Sequence, residues 1–263
     1  MRAFEPDSRL VCEIVASPHH GARIGCSAPD AIVLHYTGLP GGERDEAWRR
    51  DPGGEALKWL CDPRSQVSAH YLIEEDGRII QLVPEARRAW HAGLSSWRGA
   101  SDVNSLSIGI EIVNAGHTAG LPHFPDLQID AVIALCRELI GRYAIAPARV
   151  LAHSDVSPGR KVDPGERFPW AELARSGVGH WVEPAPLEGD PPLVFGEEGQ
   201  PVRALQAMLA LYGYGAPLTG VYDKTTRDVV AAFQRHFRQQ RVDGAADIST
   251  VKTLHAVLSG MGD

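Results

Sequence analysis

The sequence predicts an α/β domain, built on a mixed central β-sheet flanked by helices, followed by a small C-terminal domain of three helices. In the first two thirds of the chain, short apolar runs of strand length are interleaved with helical periodicity, which is typical of an α/β sheet. The composition changes at residues 181–199, where prolines and acidic side chains concentrate as in a stiff, extended linker. We therefore predict one domain over residues 1–182, a proline-rich linker over 183–192 and a helical domain over 193–263.

Strand-like segments follow one another through the first domain. The apolar run AIVLHY (31–36) has the length of a buried strand, and SIGIEIV (107–113) alternates as a strand does. The segment AHYLIEEDGRIIQLV (69–83) predicts a hairpin that turns at residues 75–77. These segments supply the sheet, and we expect the functional residues at the strand ends.

An amphipathic helix and a further strand complete the predicted domain. Residues 127–143 repeat apolar side chains at helical spacing, as in a helix laid on a sheet. The segment ARVLAHS (148–154) then predicts a strand. It leads into HSDVSPGRKVDPG (153–165), whose prolines and glycines predict a loop that is neither helix nor strand.

The C-terminal segment contains an internal half-repeat. The stretch TGVYDKTTRDVV (219–230) aligns with DGAADISTVKTL (243–254), because each has a glycine turn and then an aspartate before a helical run. Asp223 and Asp247 are therefore predicted N-caps, since a carboxylate there accepts hydrogen bonds from the free amides of the first turn. With an amphipathic segment at 199–215, the tail predicts a small three-helix bundle.

Charge and hydropathy argue against several classes of protein. The chain has 263 residues and a net charge of −7 with no basic stripe, which argues against nucleic-acid binding. Its apolar runs are too short for a transmembrane segment. Glu5 and Asp7 stand where a secretory signal is apolar, which favours a cytoplasmic protein or one whose export leader has been removed. The cysteines form no C-x-x-C pair and are expected to be mostly reduced; they are Cys12, Cys26, Cys61 and Cys136.

One short loop combines residue types that bind metal ions. His153 and Asp163 lie ten positions apart, and Lys161 lies two residues before the aspartate. Two ligands do not hold zinc, which takes three protein ligands in catalytic sites and four in structural ones. His35, at the end of a predicted strand, is the candidate third ligand. Glu111, a carboxylate between two isoleucines on another predicted strand, is a candidate general base if it faces this site.

Each of these residues is also compatible with a structural role. A histidine at a strand end more often forms hydrogen bonds than binds a metal, and an aspartate before a proline is a common turn residue. Glu111 is compatible with a solvent-facing position on an amphipathic strand, and Lys161 with an ordinary surface charge. Spacing alone therefore leaves both the metal hypothesis and the structural alternative open.

Five short motifs occur in a fixed order, each weak alone and specific in combination. They are HYT (35–37), SAHYLI (68–73), AWHAG (89–93), SIGIEIVN (107–114) and HSDVSPGRKVDPG (153–165). Together they resemble the N-acetylmuramoyl-L-alanine amidases of the AmpD/AmiD type, over roughly residues 15–180. The tail, with LQAMLALYGY and TGVYDKTTRDVVAAFQ, resembles the peptidoglycan-binding module often attached to such enzymes.

The resemblance implies a zinc hydrolase with the fold that these amidases share with peptidoglycan recognition proteins. It implies one zinc ion per chain, with His35, His153 and Asp163 as its ligands. It also implies Glu111 and Lys161 as catalytic residues: the carboxylate would take a proton from the attacking water and deliver it to the departing L-alanine nitrogen, and the ammonium would face the oxyanion.

A third set of residues is implied for the substrate groove. His91, Trp97 and Asn114 would line it. The rings of Trp90 and Trp97 are equally compatible with stacking on sugars and with positions in the core.

The implied reaction is hydrolysis of the amide between N-acetylmuramic acid, or its 1,6-anhydro form, and L-alanine in peptidoglycan or muropeptide fragments. A non-catalytic muropeptide receptor of the same fold is the main alternative, although such receptors typically lose a zinc ligand. A zinc peptidase that cuts the stem peptide is another, although its ligand spacing differs. The wall-binding tail favours the periplasm or cell envelope, against the cytoplasmic expectation, and we expect a monomer.

Overall fold

The structure of the chain, a computed structural model, describes residues 4–38, 46–189 and 191–261. Its strands are β1 (Val11–Ile14), β2 (His20–Ala22), β3 (Ala31–Tyr36), β4 (Tyr71–Ile73), β5 (Ile79–Gln81), β6 (Arg87–Ala89), β7 (Ser107–Ile112) and β8 (Val150–Ala152). Its α-helices are α1 (Glu46–Arg50), α2 (Pro52–Cys61), α3 (Val103–Leu106), α4 (Asp126–Tyr143), α5 (His153–Val156), α6 (Trp170–Arg175), α7 (Gln200–Tyr212), α8 (Lys224–Phe237) and α9 (Ile248–Ser259).

Six strands form a mixed sheet in the order β1-β5-β4-β7-β3-β8, and β2 pairs with β6 in a separate ribbon. The centre is parallel, since β7 pairs with both β3 and β4 in that sense, and β8 pairs with β3 likewise. The predicted hairpin is the antiparallel pair β4–β5. The predicted strands at 31–36 and 107–113 are β3 and β7, and the predicted amphipathic helix is α4.

Alternation along the strands separates the two faces of the sheet. Ile32 and Leu34 of β3 share a buried cluster with Val132 of α4, whereas Val33 belongs to a different cluster. Since side chains alternate along a strand, His35 projects on the same face as Val33, opposite α4.

The segment after β8 differs from the prediction of a purely irregular loop. It begins with the short helix α5, whose first residue is His153. Asp155 makes this turn stable, because its carboxylate accepts a hydrogen bond from the Ala152 amide at 2.8 Å. A four-residue helix is too short to leave a periodic pattern in the sequence, which is why it was not predicted.

The two N-caps predicted from the half-repeat of the C-terminal region are confirmed. Asp223 accepts a hydrogen bond from the Thr226 amide at 2.8 Å, and Asp247 accepts one from the Thr250 amide at 2.7 Å. These bonds start α8 and α9, which together with α7 form the predicted three-helix unit.

A buried glutamine on the preceding helix contacts the glycine turn of each half of the repeat. The side-chain carbonyl of Gln206 accepts a hydrogen bond from the Gly220 amide, and that of Gln234 accepts one from the Gly244 amide, both at 2.8 Å. Both glutamines are completely buried. Each glycine turn is therefore tied to the helix that precedes it.

The C-terminal helices pack directly on the sheet domain. One buried cluster contains Val33 and Leu151 from the sheet together with Leu205 and Phe233 from α7 and α8. The proline-rich segment lies against α9, where the Ala185 amide donates to Thr253 Oγ1 at 3.0 Å and the Ala185 carbonyl accepts from Ser249 Oγ at 2.6 Å. The division into residues 1–182, 183–192 and 193–263 stays a proposal about organisation along the chain.

Two further expectations concern the membrane and the thiols. Across the described ranges, no helix has both the length and the apolar character needed to cross a bilayer. All four cysteines are free, with Cys136 on the buried face of α4 and Cys12 exposed.

Candidate active site

Parallel strands bring the predicted site residues to one edge of the sheet. His35 on β3 lies directly beside Glu111 on β7 in the strand register. On the other side of β3, β8 ends at Ala152, and His153 follows immediately. Because the carboxyl ends of parallel strands meet at one edge, residues 118 positions apart, such as His35 and His153, come into contact.

The side chains of His35, His153 and Asp163 converge, and we call these three residues the metal cluster. The Nδ1 atoms of the two histidines are 2.9 Å apart. Asp163 Oδ2 lies 3.2 Å from His35 Nδ1 and 2.9 Å from His153 Nδ1. All three residues are buried. Ligand atoms about 2.0–2.1 Å from a tetrahedral zinc ion are separated by about 3.3 Å, so the donor set suits zinc in type and in spacing.

The protonation of the metal cluster also suits a cation. Burial lowers the pKa of His35 to about 4, and His153 acts in the same direction, so the His35 imidazole is neutral at neutral pH. Burial by itself raises the pKa of Asp163, but the contacts of its carboxylate with the His153 and His35 imidazoles outweigh burial and hold that pKa well below its usual range. A neutral imidazole and a carboxylate are the forms in which these side chains bind metals.

A backbone carbonyl indicates the tautomer of His153. Its Nε2 atom lies 3.3 Å from the carbonyl oxygen of Ala92, which accepts hydrogen bonds and cannot donate them. Nη2 of Arg160 is equally close to this Nε2 atom, but its two N–H groups have the Ala92 carbonyl and Ser157 Oγ as acceptors. We therefore assign the proton of the neutral imidazole to Nε2, which leaves a lone pair on the Nδ1 atom that faces the metal cluster.

A chain of hydrogen bonds fixes His35 in the same way. Ser107 Oγ donates to the Val103 carbonyl at 2.6 Å, so it accepts from His91 Nε2 at 3.2 Å. His91 Nδ1 then accepts from His35 Nε2 at 3.0 Å. In the neutral rings, the Nδ1 lone pairs of both His35 and His153 thus point at one another, an arrangement that a cation between them stabilises.

Gly109 on β7 makes room for His91. A Cβ atom at position 109 would lie 2.4 Å from Cγ of His91, so any larger residue would displace that ring. The backbone amide of Gly109 donates a hydrogen bond to His70 Nδ1 at 2.9 Å. His70 is therefore held within the sheet and is not part of the metal cluster. The role of this glycine was not predicted, although an isolated glycine inside a strand is a known sign of close approach.

Glu111 and Lys161 line a cavity of about 290 Å³ beside the metal cluster. Burial raises the pKa of the Glu111 carboxyl well above its usual value; the charge of Asp163 adds to this and the Lys161 ammonium opposes it. Glu111 Oε2 is buried without a hydrogen-bond partner among the described residues. Such a carboxyl group is suited to exchanging protons with a molecule in the cavity.

Other residues also line the cavity. The rings of Tyr36 and Trp59 and the cation of Arg160 had no sequence signal strong enough to single them out. Trp90, for which sugar stacking and a core position were both left open, does line the cavity. The side chain of Arg160 also donates to the Leu94 carbonyl at 3.1 Å, which ties residues 92–94 to the metal-binding loop.

Trp97 does not lie in the groove predicted for it. It is 2% exposed and packs edge-on against Tyr212 and Tyr214, with ring centroids 5.7 and 5.1 Å apart. Its ring belongs to the core beneath the C-terminal helices and is not among the residues that line the cavity. The prediction of a substrate-binding Trp97 is corrected in favour of the core alternative.

Asn114 is also absent from the cavity wall. Its Nδ2 donates to the Pro122 carbonyl at 3.0 Å, and its Oδ1 accepts from the Gly116 amide at 2.9 Å. The side chain is buried and uses its polar atoms within its own loop. Its role is therefore to order residues 114–122. His91, by contrast, does line the cavity.

A two-histidine, one-aspartate cluster beside a half-buried glutamate, at the edge of a mixed sheet, is typical of metal-dependent hydrolases. Residues 25–166 match the family described as N-acetylmuramoyl-L-alanine amidase. Residues 198–254 match the peptidoglycan binding domain family. The chain belongs to the N-acetylmuramoyl-L-alanine amidase family.

Individual relatives agree with this assignment. The N-acetylmuramoyl-L-alanine amidase AmiD of Escherichia coli is 38% identical over 247 residues, which is 88% of this chain and 83% of AmiD. The 1,6-anhydro-N-acetylmuramyl-L-alanine amidase AmpD of Enterobacter cloacae is 36% identical over 167 residues, 60% of this chain and 86% of AmpD.

Solved structures give the same result. AmiD from Escherichia coli, in complex with the substrate anhydro-N-acetylmuramic acid-L-Ala-D-γ-Glu-L-Lys, has a TM-score of 0.72 and 37% identity, covering 91% of this chain and 93% of its own. AmpDH3 from Pseudomonas aeruginosa has a TM-score of 0.71 and 30% identity, covering 100% of both chains. The predicted fold is confirmed, and so is the amidase interpretation over a non-catalytic receptor.

Proposed function

We propose that this chain hydrolyses the amide between N-acetylmuramic acid and L-alanine by means of a zinc ion held by His35, His153 and Asp163. The observation that carries the proposal is the convergence of two Nδ1 lone pairs and a carboxylate oxygen within 2.9–3.2 Å of one another. Hydrogen bonds behind each imidazole keep the protons on the opposite nitrogens. A zinc ion bound there would supply Lewis acidity to water and to the scissile carbonyl.

Glu111 is the proposed proton carrier. Its raised pKa and free Oε2 allow it to take a proton from the attacking water and to hold it in a buried carboxyl group. It can then release that proton to the amine of the departing L-alanine, which is a poor leaving group until it is protonated.

Lys161 is the proposed electrostatic partner of the reacting carbonyl. It lines the same cavity as Glu111 and lies two residues before Asp163. An ammonium group fixed there stabilises the negative charge that develops on the carbonyl oxygen, an effect worth about 2.7–4 kcal/mol for single oxyanion-hole donors.

His91 is proposed to position a ligand, in place of the substrate-binding role first implied for it. It connects His35 Nε2 to Ser107 Oγ and so sets the tautomer of His35. Ser107→Ala removes the last acceptor of this chain and is expected to weaken zinc binding by about tenfold, as other losses behind a metal ligand do. An unchanged zinc dissociation constant would contradict this role.

The substrate class follows from the relatives. The AmiD structure contains an anhydro-muramoyl peptide, and AmpDH3 has been solved in complex with an anhydromuramic pentapeptide. We propose that this chain accepts 1,6-anhydro-muropeptides as well. The peptidoglycan-binding match at residues 198–254 supports action on polymeric peptidoglycan. It therefore favours the cell envelope over the cytoplasm as the compartment of this chain. Fractionation of cells that express the chain tests the compartment.

Product analysis after metal removal tests the chemistry. The protein is treated with a chelator and is then supplied with zinc or with magnesium. Each sample is incubated with an anhydro-muropeptide, and the products are identified by mass spectrometry. We expect hydrolysis at the muramoyl–L-alanine bond to disappear with chelation and to return with zinc alone. Undiminished turnover in the chelated sample, or cleavage inside the peptide, would overturn the proposal.

A further inference from the structure

The C-terminal helices contact the loop that carries two of the metal ligands, which suggests a role for them beyond peptidoglycan binding. We propose that Tyr214 and His236 are positioning residues that hold the loop 153–165 through the buried carboxylate of Asp155. We call Asp155, Tyr214 and His236 the brace. The inference rests on the zinc site proposed above.

Asp155 is completely buried two residues after His153. Its Oδ1 accepts a hydrogen bond from the Tyr214 hydroxyl at 2.7 Å. Its Oδ2 lies 2.7 Å from His236 Nδ1 and accepts from the Ala152 amide at 2.8 Å. A buried carboxylate with three such partners is stabilised without an ion. Two of the three belong to the C-terminal region.

Packing holds both partners of Asp155 in place. The ring of His236 stacks on Trp170, with centroids 3.8 Å apart and planes 22° apart. The ring of Tyr214 packs edge-on against Trp97 at 5.1 Å. Burial and the charge of Asp155 raise the pKa of Tyr214 well above its usual value, so its hydroxyl remains a donor. Neither side chain has freedom to follow a displaced Asp155.

Asp155 is mechanically connected to both ligands of the loop. The helix α5 begins at His153, and the bond from the Ala152 amide to Asp155 closes its first turn. The Ser154 amide donates to the Asp163 carbonyl at 3.0 Å. A shift of Asp155 therefore moves the backbone of His153 and the anchor of Asp163 together.

The same loop touches α8 at a second point. Gly159 has a φ of +74°, and a Cβ atom there would lie 2.2 Å from Oδ2 of Asp228 on α8. The loop thus lies against the C-terminal helices both at α5 and at its glycine turn. Close packing against α8 therefore also constrains the backbone of the loop at this turn.

The brace is an addition to the amidase domain rather than a requirement of it. AmpD of Enterobacter cloacae matches 60% of this chain with 86% of its own length, which leaves little of its chain to form C-terminal helices. Loss of the brace is therefore expected to weaken zinc binding without abolishing it.

Two buried tyrosines provide a matched test. Tyr214→Phe removes the hydroxyl that contacts Asp155, while Tyr212→Phe removes one that lies 3.3 Å from His180 Nδ1, and both rings pack on Trp97. The zinc dissociation constant of each full-length variant is measured by competition with a chromophoric chelator, together with the melting temperature of the metal-free protein. We expect Tyr214→Phe to weaken zinc binding by about tenfold and Tyr212→Phe by less than about twofold.

A second pair separates positioning from packing. His236→Asn keeps a side-chain N–H near the place of Nδ1, and His236→Leu does not, so the asparagine variant is expected to bind zinc more tightly. Equal zinc affinities for the two tyrosine variants and for the two His236 variants, whatever their melting temperatures, would overturn the brace and leave the proposed function intact. Failure of the wild-type protein to bind one zinc ion per chain would overturn both.

Discussion

Two buried clusters, the metal cluster and the brace, each contain a histidine–aspartate contact and meet on one loop. In the brace, the two oxygens of Asp155 accept hydrogen bonds from a hydroxyl and an amide and face an imidazole nitrogen. In the metal cluster, Asp163 Oδ2 and two imidazole Nδ1 atoms face one another, while the imidazole protons are used on the far side. One cluster pairs donors with acceptors, and the other brings acceptors together.

This difference distinguishes a structural site from a metal site. A histidine–aspartate contact by itself indicates neither, because both clusters contain one at 2.7–2.9 Å. What separates them is the direction of the hydrogen bonds behind the contact. The Ala92 carbonyl and the His91–Ser107 chain accept the imidazole protons, so the Nδ1 lone pairs face the interior of the metal cluster. Among the described residues, the brace has no such arrangement.

The largest effects are expected from the same substitution made in each cluster. Asp163→Asn removes a charged ligand and should lower kcat/KM by more than about 10³-fold, beyond the loss for a single oxyanion-hole donor. Asp155→Asn places an amide nitrogen, which cannot accept, where hydrogen bonds are received, and should cost about 1–3 kcal/mol of unfolding free energy. Bound zinc and metal-free denaturant unfolding are measured for both variants.

The distinction between the metal cluster and the brace is contradicted if Asp163→Asn and Asp155→Asn change zinc binding and metal-free stability in the same way. Asp163→Asn is expected to change metal-free stability less than Asp155→Asn, and to lose its zinc at every concentration at which the wild type is saturated. A zinc-replete, active Asp163→Asn variant would remove this aspartate from the ligand set.

Glu111→Gln separates binding of the metal from the reaction. Glutamine has nearly the same shape but cannot carry a proton, and loss of a general base typically lowers kcat by about 10²–10⁴-fold. Zinc affinity should stay within about threefold of the wild type, because Glu111 is outside the metal cluster. A normal kcat with a raised KM would instead indicate that Glu111 binds substrate.

Although Glu111→Gln is expected to lower kcat, it is expected to raise the stability of the folded protein at neutral pH. The pKa of Glu111 is raised in the folded protein above its usual 4.5, mainly by burial. Its protonated form is therefore favoured by folding, and the metal-free protein loses stability as the pH rises from about 4.5 through the raised value. Glu111→Gln lacks this loss, so it should melt higher than the wild type at pH 7.5 and close to it at pH 4. Parallel melting curves across this range would contradict a buried, poorly solvated Glu111.

The sequence predicts most of the fold because most of its signals are local. The apolar run of β3, the periodicity of α4 and the N-caps Asp223 and Asp247 each depend on neighbours a few residues away. The three proposed metal ligands were found because their order in the motifs resembles a known family, and the structure brings them together.

What escaped prediction depends on contacts between distant segments. A tryptophan in an open groove and one in a core have the same local pattern, and only Tyr212 and Tyr214 decide the place of Trp97. A glycine inside a strand, such as Gly109, indicates a close approach but does not say which residue approaches, and here it is the ring of His91. Nothing in the sequence indicated the role of Asp155, because its partner His236 is 81 positions away.

The smallest expected effect tests whether stability of the C-terminal region alone reaches the metal cluster. Asp223 caps α8, the helix that carries His236, but it contacts neither the brace nor the loop 153–165 in the described structure. Asp223→Ala should cost about 1 kcal/mol of unfolding free energy, the usual value of an N-cap. Because the brace is untouched, the zinc dissociation constant should equal that of the wild type within error. Denaturant unfolding and chelator competition on the same preparation give both numbers. If Asp223→Ala weakens zinc binding as much as Tyr214→Phe does, general loosening of α8 governs the site, and the specific contact to Asp155 does not.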